Sequence, residues 1–402
     1  MRLKVLKFGG TSLCGEESWE KVIRWILSYK RQDYALVVVV SAMGRDDAPY
    51  STDRLIDLAE SFCDQLPSRE MDLIMSCGET ISSVAMAGAL RSAGLNALAL
   101  TGRQAGIITD DDFGNARILR IASSGLLRIL HQDQVAVVAG FQGVTEKGDI
   151  TTLGRGGSDI TAAALGVALQ AEMVEIFTDV NGVKTADPRL VPEARTLGIA
   201  SYEEINELAE QGAEVVHPRA CQLAMAGNVP FRIRSTFNQH PGTIVTNGTV
   251  TDERTVTGVT QVPEVTQMNI NGDQKNTEEV FGLLADGGIS VDLINVSPQK
   301  IVLTVADDKN QRARKILREG GYQADIHSGC AKVSLVGAGM RGTPGVMARI
   351  VQALNEADIK ILQTCDSHMS INCLVHGEEM ADAVRALHSN FELERGGGVF
   401  NE

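Results

Sequence analysis

A chain of 402 residues is too long for one ordinary domain and implies two or three. With 44% apolar, 22% charged and 4% aromatic residues it can bury a large core, which excludes wholesale disorder. The 37 Lys and Arg against 51 Asp and Glu leave a net charge of −14. That field repels nucleic acid and anionic lipid as general partners, while a local basic pocket for a small anion stays open.

The first seven residues carry basic side chains, but no apolar leader follows before Gly9-Gly10. Leu3–Phe8 reads as a strand, and Trp19, Val22, Ile23, Ile26 and Leu27 have helical spacing over 17–29. Ala35–Val40 is an unbroken aliphatic run of strand length, far short of a membrane span and expected of a parallel strand buried on both faces. A helix over 73–90, a strand at Val135–Ala139, a helix over 160–169 and a strand over 172–178 follow. Strands alternating with helices predict an α/β domain, a mostly parallel central sheet covered on both sides, with ligands at the carboxyl ends of the strands.

Turn-rich segments at Gln239-His-Pro-Gly-Thr243 and Thr246-Asn-Gly-Thr249 place a domain boundary near residue 248. Beyond it lies an internal repeat. A shift of 70 positions superposes Leu284 on Leu354, Ile289 on Ile359, Val291 on Ile361, Ile301 on Ile371 and Val305 on Val375. Each copy reads strand-helix-strand-strand-helix, which predicts two ferredoxin-like modules over 249–330 and 331–402. The seven cysteines are scattered without a C-x-x-C pair, so neither a disulfide framework nor structural zinc is expected, and a cytoplasmic location fits.

Three loops carry the chemistry. Lys7-Phe8-Gly9-Gly10-Thr11-Ser12 follows the first strand; its glycines let backbone approach a phosphate, and Lys7 can neutralise charge on a transferring phosphoryl group. Alone, such a turn is more often structural. Gly154-Arg155-Gly156-Gly157-Ser158-Asp159 precedes a helix; Ser158 or Asp159 reads as its N-cap, or else Arg155 clamps a substrate carboxylate while Asp159 orients the reacting groups. The third, Thr178 to Arg189, is a dense turn sequence suited to a nucleotide edge, with Lys184 and Arg189 available to phosphates. Glu79, at the head of or early in the 73–90 helix, is either a favourable first-turn charge or a ligand for a substrate ammonium. Asp110-Asp111-Asp112 reads as a solvated turn, His217 as a packed loop residue, and no protein metal site is assigned.

With KFGGTS at Lys7, VVSAMG at Val39, CGE at Cys77, TGRQAGIITDDDFGNARI at Thr101, GFQGVTEKGDITTLGRGGSD at Gly140, FTDVNGVKTADPR at Phe177, GAEVVHPRA at Gly212 and VSLVGAGMRGTPGV at Val333, the chain resembles aspartate kinases of the amino-acid kinase family. The resemblance spans essentially the whole chain and implies a three-layer α/β sandwich over 1–248 followed by two ACT modules. It implies that Lys7, Phe8, Gly9, Gly10, Thr178, Asp179, Lys184 and Arg189 hold ATP with Mg²⁺. Ser41, Thr52, Glu79, Arg155, Gly156, Gly157, Ser158 and Asp159 would then meet L-aspartate, with Lys7 and Asp159 catalytic. The implied reaction gives 4-phospho-L-aspartate for the lysine (diaminopimelate), threonine and methionine branch. Lys184 stands where many members have Tyr, and Glu214 where some have Lys, so Glu214 is given no role.

The resemblance also implies feedback by an amino-acid effector, assigned to the first module at Asp292, Ile294, Asn295 and Val296, and a homo-oligomer built through the ACT modules. Effector identity stays open among lysine, threonine and diaminopimelate. Two rivals remain: another acyl-phosphate-forming kinase acting on glutamate or N-acetylglutamate, and a non-catalytic amino-acid sensor on a dead kinase fold.

Overall fold

The computed structural model describes residues 1–44, 48–63, 65–213, 216–247, 255–271, 276–340 and 342–395. The expected boundary at 248 and Glu214 lie outside them. The elements begin β1 (Leu3–Phe8), α1 (Glu16–Lys30), β2 (Ala35–Val40), α2 (Thr52–Glu60), α3 (Ser68–Ser92), β3 (Ala97–Leu100), β4 (Ile107–Thr109) and β5 (Ile118–Ile121). Then come α4 (Ser124–His131), β6 (Val135–Ala139), β7 (Gln142–Thr145), β8 (Ile150–Thr152), α5 (Gly157–Ala168), β9 (Met173–Thr178), β10 (Ile199–Ser201), α6 (Tyr202–Glu210) and α7 (Pro218–Gly227). After β11 (Phe231–Ser235) and β12 (Thr243–Thr246) the long strand β13 (Gly258–Asn271) opens the last part of the chain. It continues with α8 (Thr277–Asp286), β14 (Asp292–Ser297), β15 (Lys300–Ala306), α9 (Asn310–Glu319), β16 (Ala324–Val336), α10 (Val346–Glu356), β17 (Gln363–Asp366), β18 (Ser370–His376) and α11 (Met380–Asn390).

Two compact units emerge. The first takes Met1–Val183, Thr196–Asn206 and Glu214–Val250; the second takes Lys184–Arg195, Glu207–Ala213 and Thr251–Glu402. The partition differs from a cut at 248, because two short segments of the amino-terminal region pack with the carboxy-terminal one.

The first unit is built on an eight-stranded sheet in the order β10-β12-β11-β9-β1-β2-β6-β3. Every neighbouring pair is parallel except β11 with β12. The period of two along β1 and β2 sorts their side chains. Leu6, Phe8, Leu36, Val38 and Val40 meet Val22, Trp25 and Ile26 of α1 and Met86 and Leu90 of α3 in one core. Lys7 falls on the opposite face, toward α5, where its ammonium is 2.7 Å from Asp159. A smaller sheet, β5-β4-β7-β8, flanks this framework. Helix α3 is long and apolar enough to cross a membrane by composition, yet Asp72, Ser76, Glu79, Ser82 and Ser83 are buried inside the protein.

In the second unit the repeat is visible as structure. Strands β15 and β18 begin at Lys300 and Ser370, and helices α9 and α11 at Asn310 and Met380, the offset read from the sequence. Their strands form one six-stranded sheet, β14-β15-β13-β16-β18-β17. The carboxy-terminal half of β13 pairs with β15, while Gly258 to Val262 pair with Lys332 to Val336 of β16. Residues 258–262, assigned by the repeat to the first module, thus complete the sheet of the second. The reason is length: β13 and β16 run through both modules, and β13 changes register after Val262, around Glu264 at φ 56°.

Each module has its own helix-sheet core, with Leu317 in one and Leu387 at the equivalent place in the other, both essentially inaccessible. Leu317→Ala and Leu387→Ala are each expected to destabilise the second unit by about 2–5 kcal/mol. Amide exchange should rise across the module that carries the change, with β1, β2 and β6 still protected.

Candidate active site

The carboxyl ends of the parallel strands deliver the predicted loops to one cleft of about 380 Å³. Lys7 comes from the end of β1 and Ser41 from just beyond β2, where its N–H continues the ladder to Phe8 O at 3.1 Å. Thr52 opens α2, Glu79 comes from α3, and Arg155 to Asp159 come from the loop into α5. Every residue expected to meet the substrate lines this cleft, together with Lys7.

Lys7 and Asp159 are both half-hidden, their side chains 13% exposed. Asp159 lies in the first turn of α5, where the helix dipole favours a carboxylate. The N-cap is Gly156 at φ 71°, which corrects the reading of Ser158 or Asp159 as cap. The reason is steric: a left-handed residue ends the loop one turn earlier, and the space beside it is filled. A side chain at Gly156 would meet His217 Cδ2 at 2.6 Å, and one at Gly157 would meet Phe141 Cδ2 at 2.6 Å.

Glu79 is not at a helix head. Because α3 starts at Ser68, Glu79 stands mid-helix with its carboxyl aimed into the cleft wall. Its Oε1 accepts the Ala42 N–H at 3.0 Å, and its Oε2 is buried with no partner. Burial therefore dominates, and the carboxyl is pushed up to about 8 against the hydrogen bond from Ala42. A buried acceptor waiting for a donor is what a substrate ammonium would complete.

The nucleotide candidates divide. Gly10 packs so closely that a Cβ would stand 2.9 Å from the carbonyls of Ala42 and Gly44, and a Cβ on Gly9 would be 3.5 Å from Lys7 Nζ. Phe8 is fully buried and stacks on Phe177 at 4.6 Å, so its contribution is to hold the strand ends rather than to touch a ligand with its ring. Thr178 ends β9 beside that pair, its hydroxyl donating to Asp179 Oδ1 at 3.2 Å. Lys184 and Arg189 make their hydrogen bonds within their own segment. Both belong to the second unit, Lys184 Nζ donating to Ala194 O at 3.0 Å and Arg189 chelating Asp187, whose carboxyl it holds below the usual range.

The four effector candidates lie on the edge strand β14, all exposed, with Ile294 and Val296 at 45% and 43%. Asp292 forms an ion pair with the buried Lys332 of β16.

Sequence reasoning missed Asp72. It is wholly buried two helical turns before Glu79 and accepts from Gly114 N at 3.0 Å, Thr152 N at 2.7 Å and Thr152 Oγ1 at 2.8 Å. It thereby pins β8 two residues ahead of Gly154. The signal was present: two carboxylates seven apart in an apolar helix share a face. Phe141, at φ 68° against Gly157, and Asp53 at the cleft mouth carried no comparable signal.

A parallel α/β sheet with an anion-ready lysine and a glycine loop at its strand ends defines a phosphoryl-transfer site of the amino-acid kinase class. Comparison agrees: the amino acid kinase family matches residues 2–235 and the ACT domain residues 333–391. Aspartokinase 1 of Bacillus subtilis (strain 168) is 48% identical over 98% of this chain and 100% of its own length. The aspartokinase of Geobacillus stearothermophilus is 40% identical over 98% of both. Among solved structures, E. coli aspartokinase III in complex with aspartate and ADP (R-state) superposes with a TM-score of 0.80 at 27% identity. That match covers 97% of this chain and 99% of the other. Its T-state complex with lysine and aspartate gives 0.77 at the same identity and coverage. The chain belongs to the aspartate kinases of the amino acid kinase family, which phosphorylate aspartate and are regulated through ACT domains.

The raised Glu79 carboxyl has a stability consequence. Unfolded, it ionises near 4.5; folded, near 8, so its destabilising effect is absent below pH 4.5 and grows until pH passes 8. Glu79→Gln should raise the unfolding free energy at pH 7 by up to about 3 kcal/mol and leave it unchanged near pH 4. Urea titrations at the two pH values measure this.

Proposed function

We propose that this cleft binds L-aspartate beside the triphosphate of ATP and transfers the γ-phosphoryl to the β-carboxylate, giving 4-phospho-L-aspartate. The supporting observation is the convergence of Lys7, Asp159, Glu79 and Arg155 in one cleft at the strand ends. The β-carboxylate has an ordinary pKa of about 3.9, so it is already a nucleophile and needs no general base. Its obstacle is repulsion by the γ-phosphate. Lys7 and the amides of Gly9, Gly10 and the 154–157 loop offset that repulsion, while Ser41, Thr52 and Arg155 fix the substrate and Glu79 takes its ammonium. Gly156, Gly157 and Ser158 keep the loop close enough for this, and Thr178 and Asp179 border the nucleotide.

Among the described residues no cluster of three or more His, Cys, Asp or Glu groups is arranged to hold a metal. Asp159 is the carboxylate that would face Mg²⁺ carried on the nucleotide phosphates with its own waters. When bound, the ion neutralises phosphate charge. Asp159 for its part keeps the Lys7 ammonium at the strand end.

The same reading makes 1–248 the catalytic region and 249–402 the regulatory one, working in the cytoplasm for the lysine (diaminopimelate), threonine and methionine branch. An amino-acid effector would bind around Asp292, Ile294, Asn295 and Val296. The exposed apolar residues of edge strand β14 suit pairing with a second copy in a homo-oligomer.

A coupled assay of ADP release tests the reading. Aspartate should be accepted and glutamate and N-acetylglutamate refused, and titration with lysine, threonine and meso-diaminopimelate identifies the effector. Lys7→Ala should lower kcat by at least about 100-fold with an unchanged far-ultraviolet spectrum. Because an ammonium needs Glu79 ionised, KM for aspartate should fall about tenfold per unit from pH 6 to 8 and level off above. In Glu79→Gln it should be high and flat over that range. Normal turnover in Lys7→Ala or a pH-independent wild-type KM contradicts these roles.

A further inference from the structure

The first residues of α7 bracket the glycine loop from both ends. Arg219 Nη1 donates to Leu153 O and Asn115 Oδ1, each at 3.0 Å, and Nη2 donates to Ala116 O at 3.0 Å. These bonds fix the carbonyl immediately before Gly154. At the other end, His217 occupies the space beside Gly156, where any side chain would meet its ring atoms Cγ and Cδ2 at 2.5 and 2.6 Å as well as its Cβ. Gly156 stands at φ 71°, a conformation that a loop leaves readily unless something packs on it. Arg155, the expected carboxylate clamp, lies with Gly154 between the two anchors.

His217 is itself fixed. It is the N-cap of α7, its Nδ1 accepting the Arg219 N–H at 3.2 Å, so that nitrogen carries no proton. Burial and the nearby cations Arg219 and Arg155 lower its pKa, with Asp159 opposing them. A neutral ring can lie against the loop without adding to the charges of Lys7 and Arg155. Neither His217 nor Arg219 lines the cleft.

We infer that His217 and Arg219 are positioning residues that hold Arg155 at the geometry needed to grip the substrate carboxylate, acting through the Leu153–Gly156 backbone. This rests on the reading that Arg155 binds aspartate. A displaced clamp weakens aspartate binding and in-line alignment, whereas the ATP phosphates, held mainly from the end of β1, feel little.

The test is a double-mutant cycle in the full-length enzyme with His217→Ala, His217→Asn and Arg155→Ala. It reads KM for each substrate, kcat and the melting temperature. His217→Ala should raise KM for aspartate about tenfold and change KM for ATP less than about twofold. His217→Asn supplies another side-chain acceptor to the helix end, so it should restore the melting temperature but not the aspartate KM. In the Arg155→Ala background either change at 217 should shift the aspartate KM less than about twofold. Recovery of both melting temperature and KM in His217→Asn reduces His217 to a helix cap and overturns the inference. So do multiplicative effects in the double mutant, with Arg155 still assigned to aspartate. A wild-type aspartate KM in Arg155→Ala alone instead removes the assignment of Arg155, and the positioning role falls with it.

Discussion

The ion pair between Lys7 and Asp159 decides where the rest of the cleft must be. It joins the last turn of one strand to the first turn of a helix that starts 150 residues later, and it requires both to arrive at the same depth. The register makes this possible: Lys7 stands beside Val39 of β2 and Ile176 of β9 in parallel ladders. A slip of one residue would turn its ammonium into the α1 and α3 core and bring Phe8 out on the cleft side. The pair is partly shielded, so removing either member leaves the other charged in a site with little water, which is worse than losing an exposed pair. In the proposed reaction an anionic ligand at the strand end would meet an ammonium already aimed and already partly dehydrated, which is the preorganisation that transfer between two anions requires.

Helix α3 contributes differently, by burying charge where it is unwelcome. Asp72 is fully satisfied and anchors β8, so its burial is converted into rigidity of the loop beyond. Glu79 is left with one oxygen unpartnered in the cleft wall, so its ionised form costs stability where Asp72 supplies rigidity. The two carboxylates share a helix face and differ only in what surrounds them. One anchors a strand and the other keeps an unpartnered oxygen in the cleft wall, a contrast set by three hydrogen-bond donors against one.

Local pattern carried much of this. The strands Leu3–Phe8, Ala35–Val40 and Val135–Ala139 were readable to the residue because aliphatic runs bounded by turn residues leave little choice. The glycine loops and the 70-residue repeat were equally plain. What local pattern did not show was where α3 begins, which residue caps α5 and which partners Lys184 and Arg189 take. The N-terminal turn of α3, Ser68-Arg-Glu, is too polar to announce a helix, so Glu79 read as lying at the head of the helix or early in it. The cap of α5 passed from Ser158 or Asp159 to Gly156 because His217, some 60 residues on, fills the space beside it. The turn sequence likewise did not show that Lys184 donates to Ala194 O and Arg189 to Asp187.

The same long-range logic shapes the regulatory unit. A tandem repeat suggests two modules that fold side by side, but β13 and β16 each cross from one sheet half to the other, so the modules share backbone. Edge strand β14 is tied to that shared backbone by the Asp292–Lys332 pair and by the hydrogen bond from Gln363 of β17 to Leu293 O. Further along, Ala186, Val191 and Ala194 are buried with Leu387 and Leu393 in the second module's core, and Thr185 Oγ1 lies 3.0 Å from His388 Nε2. A segment that sequence alone assigns to catalysis is thus a structural part of the regulatory core. Through Lys332, β14 is bonded to a strand common to both modules, and residues 184–195 pack on the core that this strand lines. Insertion of one module into the other makes that coupling a matter of covalent continuity, which two modules strung end to end would lack.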